Sequence, residues 1–174
     1  QSAVAKPSAA AAPLAVPATA PAIMPGRGMG QGGMGKGNAG VMSYIHALLS
    51  NHDKIARSVK EIPGGVETTT TSDNPATEKL IRTHVVQMKT RLEAGQPIRM
   101  WDPLFVELFR NYKAIKMEVV EIPGGVKVTE TSDDPQATLL IRQHAIKGVN
   151  EFVAKGWDRV HQPTTLPSGY EKSK

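Results

Sequence analysis

The chain has 174 residues, contains no cysteine and carries a formal net charge of +5 at pH 7. The lack of cysteine excludes disulfide bonds, thiolate catalysis, iron–sulfur clusters and haem attached through Cys-x-x-Cys-His. Residues 1–40 contain Lys6, Arg27 and Lys36 but no acid, so the rest of the chain is close to neutral. This distribution argues against nucleic-acid binding, and no run of apolar residues is long enough for a membrane span.

Residues 1–40 differ in composition from the rest of the chain. Residues 1–25 are rich in alanine and proline, and residues 26–40 are rich in glycine and methionine. Such a segment has too few apolar side chains to bury, so the sequence predicts a disordered tether here. The chain begins with Gln1 rather than methionine, and we expect an exported protein, periplasmic or secreted, whose signal peptide has been removed.

The rest of the chain contains an internal repeat. The sequence Glu-Ile-Pro-Gly-Gly-Val occurs at residues 61–66 and again at 121–126, and Leu-Ile-Arg-x-His occurs at 80–84 and 140–144. Both pairs have the same offset, which indicates a duplication and predicts pseudo-twofold symmetry. We therefore divide the chain into a tether (1–40), a first repeat (41–100), a second repeat (101–166) that forms one compact domain with the first, and a C-terminal tail (167–174).

The first repeat opens with a predicted helix and a hairpin. Apolar residues recur at helical spacing over residues 43–54. The following Ile-Pro-Gly-Gly places proline and glycine as a type II turn requires. The strand after the turn alternates in both copies, which predicts one buried face and one exposed face.

Three further helices have capping signals. Asn74 and Asp134 each precede a proline and begin helices that we expect to end near Gly95 and Gly156. Asp102 begins another capped helix that extends to about residue 115, the copy of the first one.

Each repeat therefore has the order helix–hairpin–helix. A single hairpin buries too little surface to be stable alone. We expect an α+β fold in which both hairpins form one four-stranded antiparallel sheet with helices packed on one face.

Several histidines are predicted to face the core. At 100° per residue, His84 shares an apolar stripe with Met88, and His144 lies on the same stripe in the second repeat. His52 also faces inward on the first helix, and its copy in the second repeat is Tyr112.

Buried imidazoles need polar partners, and a metal ion satisfies several at once. In a cysteine-free exported protein, ligation by His84, His144, His52 and Met88 favours copper. Zinc is less favoured because the short ligand spacings of structural zinc sites are missing. The alternative is that these histidines are structural and bond to the backbone or to the threonine-rich strands.

Non-covalent haem is the other candidate. His84 and His144 would supply both axial ligands, and Gly148, opposite Met88 in the repeat, would leave room for a planar ring. Arg82 and Arg142 are duplicated and are candidates to bind the haem propionates, although such residues more often pair with surface acids.

The segments around Ile-His-x-Leu-Leu-x-Asn-His-Asp-Lys-Ile, Gly-Val-x-x-Thr-x-Thr-Ser-Asp-Asp-Pro, Asp-Pro-Leu-Phe and Phe-Val-x-x-Gly resemble an exported bacterial family with the same duplicated units. The resemblance covers about residues 45–166. It implies a periplasmic location and association with electron-transfer components. It also implies that His46, His52, His84, His144 and His161 match the family's histidines, which makes His46 and His161 secondary ligand candidates together with Tyr112.

The sequence thus predicts an exported, non-enzymatic protein that binds copper or haem and acts in electron transfer or metal handling. No Ser-His-Asp order, P-loop or dinucleotide fingerprint is present. The expected partner is another exported protein, such as an electron-transfer component. The competing prediction is a metal-free accessory subunit that binds partner proteins through its long N-terminal arm.

Overall fold

The structure, a computed structural model, describes residues 36–172. The predicted tether over residues 1–35 lies outside this range. The helices are α1 (Lys36–Ser50), α2 (Pro75–Glu93), α3 (Pro103–Arg110), α4 (Pro135–Gln143), α5 (Asn150–Lys155) and α6 (Trp157–Val160). The strands are β1 (Ala56–Ile62), β2 (Gly65–Thr71), β3 (Lys116–Ile122) and β4 (Gly125–Thr131).

The four strands form one antiparallel sheet in the order β1-β2-β4-β3. The first hairpin pairs Ala56 with Thr71, and the second pairs Lys116 with Thr131, so the two hairpins have the same register at an offset of 60 residues. The central strands β2 and β4 join the hairpins, with Thr68 opposite Val128. The predicted four-stranded antiparallel sheet is confirmed.

Glycines determine the geometry of both hairpin turns. Gly64 and Gly124 have φ angles of +73° and +78°, as the third position of a type II turn requires. The following glycines allow a close approach between the two central strands. A Cβ on Gly65 would lie 1.8 Å from the Glu130 carbonyl oxygen, and a Cβ on Gly125 would lie 2.0 Å from that of Thr70. Only glycine fits these two positions.

The helices cover one face of the sheet. Val66, Val126 and Val128 point into the core and are at most 5% exposed, while Glu67 and Lys127 lie on the opposite face and form an ion pair there. This alternation gives the sheet one buried and one solvated face, as the sequence predicted. The described residues therefore form a two-layer α+β unit.

The three helix caps occur where the sequence placed them. The side chains of Asn74, Asp102 and Asp134 accept hydrogen bonds from backbone amides of the first turn of α2, α3 and α4, and each is followed by proline. The last main helix of each repeat ends beside a glycine with positive φ, α2 at Gly95 (+60°) and α5 at Gly156 (+54°).

Two helices have boundaries that differ from the prediction, which placed the first over residues 43–54. Helix α1 begins at Lys36, so residues 36–40 are helical rather than part of the tether, and it ends at Ser50. The predicted helix over 103–115 also ends early, at Arg110. In both repeats an asparagine follows, Asn51 or Asn111, whose side-chain amide donates to the carbonyl four residues earlier, and a single 3₁₀ turn leads into the strand. This side-chain bond competes with helix continuation.

The second repeat contains an irregularity that the first lacks. Helix α2 is continuous through His84, whereas the backbone from His144 to Val149 is π-helical and connects α4 to α5. A π-helical turn adds one residue to the helix ladder and changes the direction of the side chains that follow. The sequence repeat did not predict this difference.

Candidate functional site

A cavity of about 240 Å³ lies between the inner face of the sheet and the helices. Most of its lining is aliphatic or aromatic. Its polar members include His52, His84, His144, Arg57 and Glu130. A cavity that is apolar with a few convergent polar groups is the usual form of a small-molecule site.

The two repeated histidines both line this cavity. His84 comes from α2 and His144 from the first residue of the π-helical segment. The Nδ1 atom of each is buried and makes no hydrogen bond within the described residues. Burial lowers the pKa of His84 to about 4, and burial together with the positive charge of Arg57 lowers that of His144 to about 4, an effect opposed by Asp102. Both imidazoles are therefore neutral at pH 7 and able to coordinate a metal.

The surroundings of His144 orient its ring. The ring lies edge-on to Phe105, with 5.3 Å between the ring centroids. Its buried Nδ1 lies 4.0 Å from a carboxylate oxygen of Glu130. The side chain nevertheless keeps 21% of its surface accessible. Because Nδ1 is buried, this accessible surface belongs to other atoms of the side chain.

Two charged residues on the inner face of the sheet, Arg57 and Glu130, were not predicted from the sequence. Arg57 of β1 donates from Nη1 to Thr70 (2.7 Å) and from Nε to Asn150 (3.0 Å). Burial lowers the Arg57 pKa to about 10, against the opposing effect of Glu130. Burial raises the Glu130 pKa to about 6, against the opposing effect of Arg57. The sequence did contain a signal for them, because both charges fall at inward positions of alternating strands. A buried charge is costly without a partner, so such positions indicate a site.

The other inward candidates also line the cavity. Met88 lies one turn after His84 on α2. His52 lines the cavity, but its Nδ1 is 2.8 Å from the Val153 carbonyl oxygen, so that nitrogen already has a partner. Tyr112, its counterpart in the second repeat, is not among the lining residues and its ring packs against Gly95.

The arginines proposed for propionates lie elsewhere. Arg82 donates to the Ile122 carbonyl (2.6 Å) and forms ion pairs with Glu78 and Glu121. Arg142 donates to the Ile62 carbonyl (3.1 Å) and forms an ion pair with Glu61. Each arginine therefore holds the hairpin turn of the other repeat, and neither lines the cavity.

Gly148 is buried but is not one of the cavity-lining residues. A Cβ added at Gly148 would meet only the Cδ2 atom of His144, at 3.6 Å, an ordinary contact. We therefore assign no ring-accommodating role to Gly148.

The remaining histidines lie on the surface. His46 and His161 are exposed and contact Trp157, with ring centroids 5.1 Å and 6.3 Å away, respectively. Neither lines the cavity. The structure therefore separates the five histidines into three at the cavity and two around an exposed tryptophan.

Within residues 36–172, no group of three or more histidine, aspartate and glutamate side chains comes together in a way that could hold a metal ion. None of the helices in this range combines the length and the apolar character of a membrane span. Comparison with protein-family models, with curated proteins and with solved structures gives no match for this chain.

Proposed function

We propose that this protein is an exported, non-enzymatic haem-binding protein in which His84 and His144 supply the axial ligands. The observation that carries the proposal is that both imidazoles line one apolar cavity with a buried, unpartnered Nδ1. An unsatisfied buried polar group costs about 1–3 kcal/mol. Two such groups at repeat-related positions favour a role beyond packing.

The number of available ligands favours haem over copper. A porphyrin supplies four ligands to its iron, so the protein needs to add only one or two. His84 and His144 meet that need. A copper ion held by the protein alone would require His52 or Met88 as well, and within residues 36–172 no three histidine, aspartate or glutamate side chains come together to hold an ion.

The lining of the cavity also suits a porphyrin. Aromatic side chains (Phe105, Phe109 and Phe152) and many aliphatic ones surround the histidines. The cavity volume of about 240 Å³ exceeds the roughly 150 Å³ of an apolar cavity known to admit benzene. A porphyrin is larger than this space, so one edge must extend outward. A surface depression shares four lining residues with the cavity, and we propose that the edge extends toward it.

Neutral histidines are the form that binds iron, and the low pKa of both residues keeps them neutral at physiological pH. A bound haem would supply a one-electron redox couple. This is in keeping with the predicted association with exported electron-transfer components, which stays a prediction.

Haem titration of the purified protein tests the proposal. We expect a Soret band with the visible bands of two axial imidazoles. His84→Ala or His144→Ala should weaken haem binding at least about tenfold or give a five-coordinate spectrum. The matched controls, His46→Ala and His161→Ala, remove exposed histidines outside the cavity and should bind haem as the wild type does.

Two results would contradict the proposal. One is the absence of any Soret shift at micromolar haem. The other is wild-type haem binding by the His84→Ala/His144→Ala double variant. Stoichiometric copper bound in the absence of haem, and lost in that double variant, would favour the copper site instead. The predicted accessory subunit that binds partners through residues 1–40 remains the alternative, and most of that arm lies outside the described residues.

A further inference from the structure

The cavity and the surface depression beside it share four residues. His52, Ile55, Arg57 and Val153 line both, so these side chains form the wall between the cavity and the outside. The depression is completed by Asp53, Asn150, Glu151 and Ala154. A ligand too large for the cavity would reach solvent through this wall.

Arg57 is the cation of that wall. Its guanidinium is fixed by hydrogen bonds to Thr70 on one side and Asn150 on the other. These bonds use Nε and one N–H of Nη1, which leaves three of the five guanidinium N–H donors for another partner. Within the described residues, no carboxylate lies within ion-pairing distance of Arg57, although Glu130 acts on it from farther away.

The other arginine that lines the cavity, Arg99, already has a carboxylate partner. Arg99 pairs with Asp102 at 3.0 Å and donates to the Val160 carbonyl at 2.8 Å. Its guanidinium also lies over the rings of Phe105 and Phe152. Arg99 keeps a buried Nε without a hydrogen-bond partner, but its charge is already paired with Asp102. Among the described residues, Arg57 is therefore the arginine at the cavity without a carboxylate in ion-pairing distance.

We propose that Arg57 binds a carboxylate of the ligand, so that the acidic edge of the ligand lies at the wall between cavity and depression. This inference rests on the proposed function and names the ligand chemistry that the apolar cavity alone does not specify. For haem, the group bound is a propionate. A planar guanidinium held by two neighbours presents its remaining N–H groups in the geometry that a carboxylate accepts.

None of the described acidic residues near Arg57 forms an ion pair with it, so its guanidinium can bind a ligand carboxylate. Glu151 is engaged by Arg159, whose Nε lies 2.6 Å from its carboxylate. Asp53 is exposed at the rim of the depression. Glu130 is on the cavity side and interacts with both Arg57 and His144. Glu130 lines the cavity but not the depression, so the depression side of Arg57 is not shared with it.

A comparison of iron protoporphyrin with its dimethyl ester tests the inference, because the ester keeps the ring and the iron but lacks both carboxylates. The Kd of each is measured by Soret titration in one solvent mixture. We expect the wild type to bind the acid at least about tenfold more tightly than the ester. Arg57→Gln should reduce this preference to less than about threefold while retaining the bis-imidazole spectrum, and Arg57→Lys should retain part of it.

The matched control is Lys127→Gln, which makes the same change in charge on the solvated face of the sheet. It should keep the wild-type preference for the acid. Equal binding of acid and ester by the wild type, with a bis-imidazole spectrum, would overturn the carboxylate role and leave haem binding intact. Retention of the full preference by Arg57→Gln would overturn that role as well. Failure of both compounds to produce a Soret shift would instead overturn the haem proposal and the inference resting on it.

Discussion

Each repeat has an arginine two positions before a histidine: Arg82 and His84 on α2, and Arg142 and His144 where α4 meets the π-helical segment. The fold uses the two arginines differently from the two histidines. Arg82 and Arg142 each reach a carbonyl and a glutamate at the hairpin turn of the other repeat. His84 and His144 face the cavity with a buried nitrogen that has no hydrogen bond. The repeat therefore contains one pair that joins its two halves and one pair that the protein alone leaves unsatisfied.

This contrast separates architecture from function in a repeated sequence. A residue kept in both copies is expected wherever the same contact forms twice, and the arginines need no further explanation. The histidines form no such contact through Nδ1. Local choices that disagree with the most stable fold are expected chiefly at functional sites.

The largest expected loss of stability concerns the joint between the two hairpins, where β2 pairs with β4. Gly65→Ala and Gly125→Ala would each place a Cβ about 2 Å from a backbone carbonyl oxygen of the neighbouring central strand. Neither strand can yield without breaking the β2–β4 pairing. We expect each variant to lose about 4 kcal/mol or more of unfolding free energy, measured by chemical denaturation.

Gly40→Ala is the control for that experiment. Gly40 lies in helix α1 with nothing within 4 Å of an added Cβ. Alanine should stabilise the helix by about 0.5–1 kcal/mol. A small effect of Gly65→Ala would show that the two hairpins do not pair as closely as the structure has them.

Local features of the fold were predictable from the sequence because they depend on neighbouring residues. Proline and glycine spacing determines the turns, and Asn74 and Asp134 determine where helices begin. The inward direction of His84 and His144 follows from helical periodicity. All of these were expected and are present.

The rest depends on distant contacts. Arg57 and Glu130 influence each other electrostatically because β1 and β4 both flank β2, and nothing in the sequence states that strand order. Arg82 was a candidate to bind a propionate or to pair with surface acids, and its contact with the turn at Ile122 was not predictable because that turn is 40 residues away. The π-helical segment at His144 has no signal in a repeat whose other copy is regular.

The next largest expected effect is the dependence of the unfolding free energy on pH, which the two buried histidines determine. Their folded-state pKa of about 4 lies below the ordinary 6.5, so the unfolded chain binds more protons between these values. Stability is therefore full above about pH 6.5 and is lost as the pH falls toward 4. Glu130, whose pKa is raised to about 6 by burial, opposes this loss between about pH 6 and 4.5.

We expect the ligand-free protein to lose a net 2–4 kcal/mol, as an order of magnitude, between pH 7 and pH 4.5. Urea unfolding at several pH values measures it. The His84→Leu/His144→Leu double variant should show a clearly smaller loss, because the groups that take up protons on unfolding are gone. An unchanged pH profile in that variant would mean that the imidazoles are not held neutral by burial.

The smallest expected stability changes come from substitutions that compare the arginine pair with the histidine pair directly. Arg82→Met and Arg142→Met keep much of the side-chain stem but leave the Ile122 or Ile62 carbonyl without its donor. We expect each to cost about 1–2 kcal/mol, with Arg82 the larger because it also pairs with Glu78. His84→Leu and His144→Leu remove unsatisfied polar groups from an apolar cavity. Each should therefore be neutral or stabilising by up to about 1 kcal/mol in the ligand-free protein.

The midpoint of urea unfolding, at an unchanged slope, measures all four variants on one scale. The sign of the histidine result decides between a structural role and a ligand-binding role. If leucine at 84 or 144 costs as much as methionine at 82 or 142, the imidazoles stabilise the fold and their role is structural. If leucine is tolerated while haem binding is lost, the histidines are retained for the ligand at the expense of stability. Arg82 and Arg142 would then connect the two repeats, and His84 and His144, two residues later in each, would form the ligand site.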